Sequence, residues 1–343
     1  MNKLYVNEIG AVTFIVLVVL IITTVFSSAV EAATPKKLCV FDPLGAYGDT
    51  YALVDSYATQ MKVNGVTFQL KAYTDETVAA NDFIGNTCDA AVLTGTRARS
   101  FNRFTGSIEA IGGLPEYSQL RTLLGYLNHK KLEKYLVDGA YEIAGVYPIG
   151  AVFIFVNDRA INSASKLAGK KLATMSVDRA ANTMVTYVGA APVNSNITNF
   201  GGKFNNGSVD VCYSPSLGYN AFELYKGLEP NGGVIRFPLA QMNAQLIIKK
   251  DKFPEGFGVL SRQLAHTQLE QAFSTITTKD KSIDNKWWID LEDDDKTKYM
   301  EMFRSVRINL AKDSVYHPKM LTLMKRIRCR EKPGHSECSR KGE

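Results

Sequence analysis

The sequence predicts an α/β fold with two lobes, a hinge between them and a brace of helices near the C-terminal end. A strand-helix-strand-helix-strand pattern occupies residues 37–93 and recurs over residues 171–213. In each copy an aspartate, Asp89 or Asp210, opens the last strand. Such a unit requires a parallel sheet covered by helices on both faces. Two of these units in a chain of 343 residues indicate two lobes facing each other across a cleft.

The first unit begins with a strand at residues 37–41, followed by the glycine-bearing loop 42–49. A helix is predicted over residues 50–63, with Asp49 or Thr50 as its N-cap. The loop contains neither Gly-Lys-Ser/Thr nor Gly-x-Gly-x-x-Gly. This absence excludes a P-loop and a dinucleotide-binding fingerprint at this position.

The other elements follow from apolar periodicity and from the positions of glycine and proline. Within the two units we predict strands at 66–73, 89–93, 171–175, 191–193 and 209–213, and helices at 76–84, 179–188 and 198–206. Outside them we predict strands at 145–156, 232–238 and 244–248, and helices at 120–137, 260–276, 287–310 and 314–328. The strand at 145–156 is expected to pass through the hinge. Acidic residues 292–295 are expected to interrupt the helix at 287–310.

Polar residues in the loops that follow the strands are the candidate ligand-binding residues, because ligands of parallel α/β sheets bind beyond the carboxyl ends of the strands. The candidates are Tyr47, Asp49, Arg97, Arg99, Asp178, Arg179, Asn182, Tyr213, Ser214 and Tyr219. A guanidinium in such a loop can bind an anionic group with two hydrogen bonds. The alternative is that the arginines lie on the surface or form a salt bridge between the lobes.

Three ordered segments of the second unit, 167–172, 189–193 and 206–210, resemble the periplasmic solute-binding proteins of the TRAP transporter (DctP-like) family. They contain a Gly-Lys-Lys-Leu strand start, Gly-Ala-Ala-Pro-Val and Gly-Ser-Val-Asp. The resemblance implies a two-lobed periplasmic-binding-protein fold, an organic anion as ligand and a sodium-coupled inner-membrane permease as partner. Members of that family usually carry an arginine in the first of these strands to hold a carboxylate, whereas this sequence has Ala173.

The N-terminal segment predicts export to the periplasm. Residues 9–26 contain no charge, and Val30 and Ala32 are small residues at the spacing that a signal peptidase recognises. The apolar run is also just long enough for an uncleaved membrane anchor. The predicted organisation is a signal peptide or anchor at 1–32, lobe 1 at 33–148 plus part of 243–343, lobe 2 at 149–242, and a basic tail at 329–343. The tail is expected to be solvated, or else to contact anionic lipid or a partner.

Five cysteines in an exported chain indicate disulfide bonds. Cys329 and Cys338 are close enough in sequence to form a bond that staples the tail. Cys39 can pair with Cys88, since the first and third strands of such a unit are often neighbours. The pairing of Cys39, Cys88 and Cys212 remains open, because one of the five must stay unpaired.

The sequence predicts a binding protein and not an enzyme. Its four histidines fall on separate predicted helices or in the tail, and no His-Glu-x-x-His, Cys-x-x-Cys or Gly-x-Ser-x-Gly occurs. We therefore expect no catalytic residue, no metal and no cofactor. The mild net charge of +6 and the lack of a nucleic-acid motif predict no nucleic-acid partner. The predicted function is capture of a small polar solute by a monomer that delivers it to an inner-membrane transporter, and the TRAP resemblance implies that this solute is an anion. The alternatives are a membrane-tethered accessory protein of a drug efflux system and, less favoured, a hydrolase.

Overall fold

The computed structural model describes residues 34–343, and ten strands of this part of the chain form one sheet. The predicted signal peptide or anchor at 1–32 lies outside the described residues. The strands are β1 (Lys36–Phe41), β2 (Phe68–Tyr73), β3 (Ala90–Thr94), β4 (Val137–Asp138), β5 (Tyr141–Val156), β6 (Lys171–Met175), β7 (Ala191–Ser195), β8 (Val211–Pro215), β9 (Gly233–Lys249) and β10 (Trp288–Ile289).

The sheet consists of two parallel parts joined by a central antiparallel pair. Its main path follows the order β2-β1-β3-β9-β5-β8-β6-β7. Strands β2, β1 and β3 run parallel and form the first half-sheet, while β8, β6 and β7 run parallel and form the second half-sheet. Strand β9 is antiparallel to both β3 and β5, and β5 is antiparallel to β8. The two predicted βαβαβ units are therefore the two half-sheets, connected by the long strands β5 and β9.

The two aspartates that repeat in the sequence have the same structural role in the two half-sheets. The Asp89 carboxylate accepts a hydrogen bond of 2.8 Å from the backbone N–H of Lys37. The Asp210 carboxylate accepts one of 2.8 Å from the backbone N–H of Lys171. Each bond ties the start of the first strand of its unit to the start of the third. The repeated aspartate in the sequence therefore corresponds to the same hydrogen bond between strands in both half-sheets.

The structure corrects the prediction of two strands separated at residues 241–243, because β9 continues through them. Gln241 and Asn243 are buried, and their backbone stays paired with β5, so they do not break the strand even though the Gln241 side-chain amide has no partner among the described residues. The backbone N–H of Asn243 donates to Glu109 Oε1 at 2.9 Å, and Gln245 Nε2 donates to Asn243 Oδ1 at 2.8 Å. The polar residues of this segment therefore lie inside the protein as part of one continuous strand.

Twelve α-helices cover the sheet within the described residues. They are α1 (Asp49–Val63), α2 (Glu76–Ile84), α3 (Gly95–Ala98), α4 (Tyr117–Leu127), α5 (Arg179–Tyr187), α6 (Phe200–Asn205), α7 (Leu217–Ala221), α8 (Tyr225–Leu228), α9 (Phe257–Thr267), α10 (Leu269–Asp280), α11 (Asp293–Lys312) and α12 (Pro318–Glu331). Among them none has the length and apolar character needed to cross a bilayer. The last four helices follow β9, as predicted for the C-terminal brace.

Three predicted helices differ in the structure, and the one predicted at 260–276 is divided into α9 and α10 at Gln268. The helix predicted at 120–137 ends at Leu127, and a 3₁₀ helix, Lys130–Tyr135, follows it. The helix predicted at 287–310 begins only at Asp293, after the short strand β10. The acidic residues thus start α11 and do not interrupt a longer helix, because negative charge stabilises the first turn of a helix.

Two disulfide bonds join Cys39 to Cys88 and Cys329 to Cys338. The first bond links β1 to the segment that leads into β3, and these strands are adjacent in the sheet. Cys212 is buried on β8 and carries no bond. The structure thereby settles the pairing that the sequence left open.

The predicted basic tail is not simply solvated, because part of it closes a buried ion cluster. The Arg307 cluster comprises Arg307, Arg328, Glu337 and Glu343. The Arg307 side chain is 0% exposed and pairs with Glu343, while Arg328 pairs with Glu337 at 2.7 Å and with Glu343 at 3.0 Å. Arg307 also donates to the Ile111 carbonyl at 2.9 Å. The acidic residues of the tail are what bring this segment onto α11 and α12.

Candidate functional site

A cavity of about 380 Å³ lies at the carboxyl ends of the parallel strands of both half-sheets. Residues at or just after the ends of β1, β2 and β3 line one side, and residues at or just after the ends of β6, β7 and β8 line the other. Ile149 of β5 and Met242 of β9 also face it. All six parallel strands therefore direct their carboxyl ends to one space, which is where α/β sheets bind ligands.

Most of the cavity wall is apolar. The side chains that form it include Phe41, Ile149, Met175, Ile197, Phe200, Phe222 and Met242. The charged residues in the lining are four carboxylates and one arginine: Asp42, Asp75, Glu76, Asp178 and Arg97. An apolar wall with a few placed polar groups is the usual composition of a small-molecule site.

Three of the four carboxylates cap helices whose N-termini face the cavity. Asp42 accepts hydrogen bonds from the backbone N–H groups of Thr50 and Tyr51 at the start of α1. Asp75 caps α2, and Asp178 caps α5 by accepting from the N–H of Ala181 at 3.1 Å. The N-cap position of α1 is Gly48, with Asp42 supplying the side-chain acceptor, so the prediction of Asp49 or Thr50 as the cap was wrong. These bonds satisfy backbone donors that have no partner within the helix.

Among residues 34–343, Arg97 is the one cation in the lining, and its partners lie on its own side of the cavity. Its Nη2 donates to Thr77 Oγ1 at 2.9 Å, and its Nε lies 3.8 Å from the Glu76 carboxylate. Glu76 in turn accepts a hydrogen bond of 2.7 Å from the backbone N–H of Thr94. Burial raises the pKa of Glu76, although Thr94 and Arg97 oppose that effect.

A smaller pocket of about 40 Å³ lies beside the cavity and contains Arg99, Glu109 and Asp178. Arg99 Nη1 lies 4.0 Å from Asp178 Oδ1, and the Arg99 guanidinium packs over the Tyr316 ring at 5.1 Å. Asp178 also accepts from Tyr213 Oη at 3.4 Å. Arg99 comes from the loop after β3 and Asp178 from the start of α5, so this contact connects the two halves of the molecule. It is the interlobe salt bridge considered as the alternative to ligand binding.

The structure brings four of the ten predicted ligand-binding residues together in the cavity lining, namely Arg97, Asp178, Tyr213 and Ser214. The other six lie outside that lining. Tyr47 is 95% exposed, Arg179 is exposed, and Asp49 forms a salt bridge of 2.8 Å with Lys279. Asn182 donates to the carbonyl groups of Met175 and Asp178, Tyr219 packs in the core, and Arg99 lies in the smaller pocket.

The comparison with known families adds an independent observation. The family described as "Solute-binding protein AdeT 1/2" matches residues 62–343, which is most of the chain. The chain belongs to this family. One relative in it is the probable solute-binding protein AdeT1 of Acinetobacter baumannii, which is 42% identical over 300 residues, covering 88% of this chain and 99% of AdeT1.

Solved structures show that this AdeT 1/2 protein has the two-lobed fold predicted from the sequence. A TRAP periplasmic solute-binding protein from Rhodoferax ferrireducens, with bound malonate, is similar with a TM-score of 0.70 at 14% identity, over 87% of this chain and 100% of that one. One from Sulfitobacter sp., with bound β-D-galacturonate, gives a TM-score of 0.68 at 14% identity, over 85% and 99%. At these identities the likeness concerns the fold.

The AdeT 1/2 family consists of solute-binding proteins, which agrees with the prediction that the chain is not an enzyme. Three histidines of this chain cap helices. His129, His317 and His335 each accept a hydrogen bond from a backbone N–H through Nδ1. Within residues 34–343 no group of three potential ligands is placed to hold a metal ion. These side chains have structural roles that account for their positions.

The cavity also contains residues after β2 and β7 that were not among the predicted ligand-binding residues. Asp75, Glu76 and Thr77 come directly after β2, and Asn196 and Ile197 come directly after β7. Ligands bind beyond the carboxyl ends of parallel strands, and this rule applies to β2 and β7 as it does to the other four strands. These residues could therefore have been predicted from the sequence. The apolar wall from α6 and α7 was not predictable in this way, because short helices packed over a sheet have no distinctive sequence pattern.

Glu109 gives a testable pH dependence beside the site. Its carboxylate accepts hydrogen bonds from Gly95, Thr96 and Asn243, but burial dominates and raises its pKa to about 7. The folded state therefore binds this proton more tightly than the unfolded state. The stabilisation is fully present below pH 4.5, the ordinary pKa, and is lost as the pH rises through about 7.

Glu109→Gln should remove this component of the pH dependence, since glutamine keeps the acceptor oxygen and carries no charge at any pH. Relative to the wild type, the variant should gain stability between pH 4.5 and pH 8. Urea unfolding at several pH values measures the difference. Parallel stability profiles for the two proteins would contradict the assignment.

Proposed function

We propose that this protein is exported, captures a small polar solute in the cavity between its lobes and delivers that solute to a transporter of the inner membrane. The observation that supports the proposal is the position of the cavity, which takes its lining from the carboxyl ends of all six parallel strands. A solute held there contacts both halves of the molecule at once. Binding can therefore favour one arrangement of the lobes over others.

The proposed lobe 1 comprises residues 33–148 with part of 243–343, and the proposed lobe 2 comprises residues 149–242. The proposed ligand contacts are Arg97, Asp178, Tyr213 and Ser214, together with the apolar wall. Arg99 and Asp178 would hold the lobes together behind the solute, since their ion pair joins the two halves. We place Tyr47, Asp49, Arg179, Asn182 and Tyr219 outside the contact set because they lie outside the cavity lining.

The proposed partner is a permease of the TRAP type, and the protein is proposed to act as a periplasmic monomer. The fold it shares with TRAP solute-binding proteins and the apolar segment 9–26 support this assignment. The intact mass of the protein recovered from the periplasm tests the export step. Cleavage near Ala32 fits a free carrier, whereas retention of residues 1–32 would favour a tethered protein.

The cavity assignment can be tested by filling the space. Ala221 lies in the cavity wall on α7 and is only partly buried, so Ala221→Trp should fit into the empty volume and exclude a solute. We expect this variant to lose at least tenfold in affinity for any solute that raises the melting temperature of the wild type. Thermal shift followed by calorimetry gives the measurement.

Ala160→Trp provides the matched control, because Ala160 is exposed and lies outside the cavity lining. It should bind the solute as the wild type does. If Ala221→Trp also leaves the affinity unchanged, then the solute binds elsewhere and the cavity assignment is wrong.

A further inference from the structure

We propose that the solute is a cation with an apolar body, such as a quaternary ammonium or protonated amine that carries an aromatic or branched alkyl group. The inference rests on the proposed function, because it names the ligand class of the same cavity. Its basis is that the charged side chains of the cavity already bind the positive groups there, namely the helix N-termini and Arg97. The structural neighbours described above hold carboxylates, so the inference separates this chain from them.

The helix N-termini at the cavity are already occupied by side chains of the protein. A helix N-terminus is the common anion site of α/β proteins, since its free N–H groups and dipole attract negative charge. Here Asp42, Asp75 and Asp178 cover the first turns of α1, α2 and α5. An anionic solute would have to displace a covalently attached carboxylate from each of these positions.

The arginine that could receive an anion is also engaged. Arg97 Nη2 donates to Thr77 Oγ1, and the Glu76 carboxylate lies 3.8 Å from the buried Arg97 Nε, which makes no hydrogen bond within the described residues but has its charge offset by that carboxylate. Four carboxylates against Arg97 in the lining and Arg99 beside Asp178 leave an excess of negative charge, which the helix N-termini, at about half a positive charge each, reduce but do not cancel.

The pKa shifts of the buried carboxyl groups also favour a cation over an anion in the cavity. Burial raises the pKa of Asp42 and of Glu76, which means that the cavity already disfavours their negative charges. A carboxylate solute would add a further buried negative charge, whereas a cation would offset the existing ones.

The apolar wall fits the body of such a cation. Phe41, Phe200 and Phe222 present aromatic rings, and Met175 and Met242 present flexible thioether side chains. Aromatic faces attract cations, and methionine adapts to irregular apolar shapes. One end of the solute would then face Asp75 and Asp178 while the remainder packs against this wall.

Three probes of similar size and different charge test the inference: benzyltrimethylammonium, phenylacetate and 2-phenylethanol. Calorimetry with the purified protein should detect the cation at an affinity at least tenfold higher than that of the other two. Asp75→Asn should weaken the cation roughly three- to tenfold, because asparagine keeps the helix cap but removes the charge. The affinity for 2-phenylethanol should stay the same.

Asp55→Asn is the matched control, since Asp55 is exposed on α1, outside the cavity lining, and the change in net charge is identical. It should alter cation affinity less than about twofold, because charges on the surface are screened by salt. Stronger binding of phenylacetate than of the cation, no binding of the cation, or an equal loss in the Asp75 and Asp55 variants would overturn the inference. The proposed function would survive each of these results as long as Ala221→Trp blocks the solute that does bind.

Discussion

Arg307→Met should lower the free energy of unfolding by about 3–5 kcal/mol. The substitution leaves the Glu343 and Glu337 carboxylates buried with Arg328 as their one remaining cation in the Arg307 cluster, and it leaves the Ile111 carbonyl without its donor. Removing one partner of a buried ion pair is costly because the other charge stays out of water without compensation. Urea unfolding monitored by circular dichroism measures the loss.

Arg340→Met is the matched control for this prediction. Arg340 pairs with Glu301 at 3.2 Å, and the two side chains are 44% and 56% exposed. Exposed ion pairs contribute about 0–1 kcal/mol, so this variant should remain close to the wild type. If both variants lose the same amount, burial of the Arg307 cluster does not determine its contribution to stability.

Replacing Cys39 and Cys88 together with alanine should cost about 4 kcal/mol, because the bond closes a loop with a sequence separation of 49. The same change at Cys329 and Cys338 should cost about 2.5 kcal/mol, since that loop has a separation of 9. The difference follows from chain entropy, as a longer loop restricts the unfolded chain more strongly.

Urea unfolding of the two double variants under the same conditions gives the loss in free energy of unfolding for each bond. The two losses distinguish chain entropy from local packing as the source of the stabilisation. A larger loss from the tail bond than from the Cys39 bond would show that chain entropy is not the main source of the stabilisation. The slope of unfolding against urea should increase in both variants, because the unfolded chain exposes more surface without its crosslinks.

The half-sheets were predictable because their signals are local. The strands of the two units are short apolar or alternating runs, and Asp89 and Asp210 each mark the start of the third strand of their unit. The helix N-caps Asp75 and Asp178 also stand immediately before the helices they cap, as capping rules require.

The remaining features depend on contacts that are distant in sequence. Asp42 caps α1 across a loop, with a separation of eight residues from Thr50, so a rule for adjacent caps assigned this role to Asp49 or Thr50. Arg99 lies under Tyr316, and nothing near Arg99 in the sequence indicates that this ring will cover it. The break predicted between the strands at 232–238 and 244–248 does not occur, because the chain pairs there with β5 and the Asn243 N–H donates to Glu109, both distant in sequence.

The pairing of β5 with β9 joins the half-sheets through a continuous ribbon. Its register shifts between Ile143 and Gly145, between Pro148 and Gly150, and between Val152 and Ile154. If the angle between the half-sheets changes, β5 and β9 must bend. We expect the bending to occur mainly where the register of this pair is irregular. The opening between the half-sheets would then depend on the curvature of these two strands. A substitution at Gly150, which has a φ of 137°, would strain the backbone at one of these irregular points, although Gly150 lies outside the cavity lining.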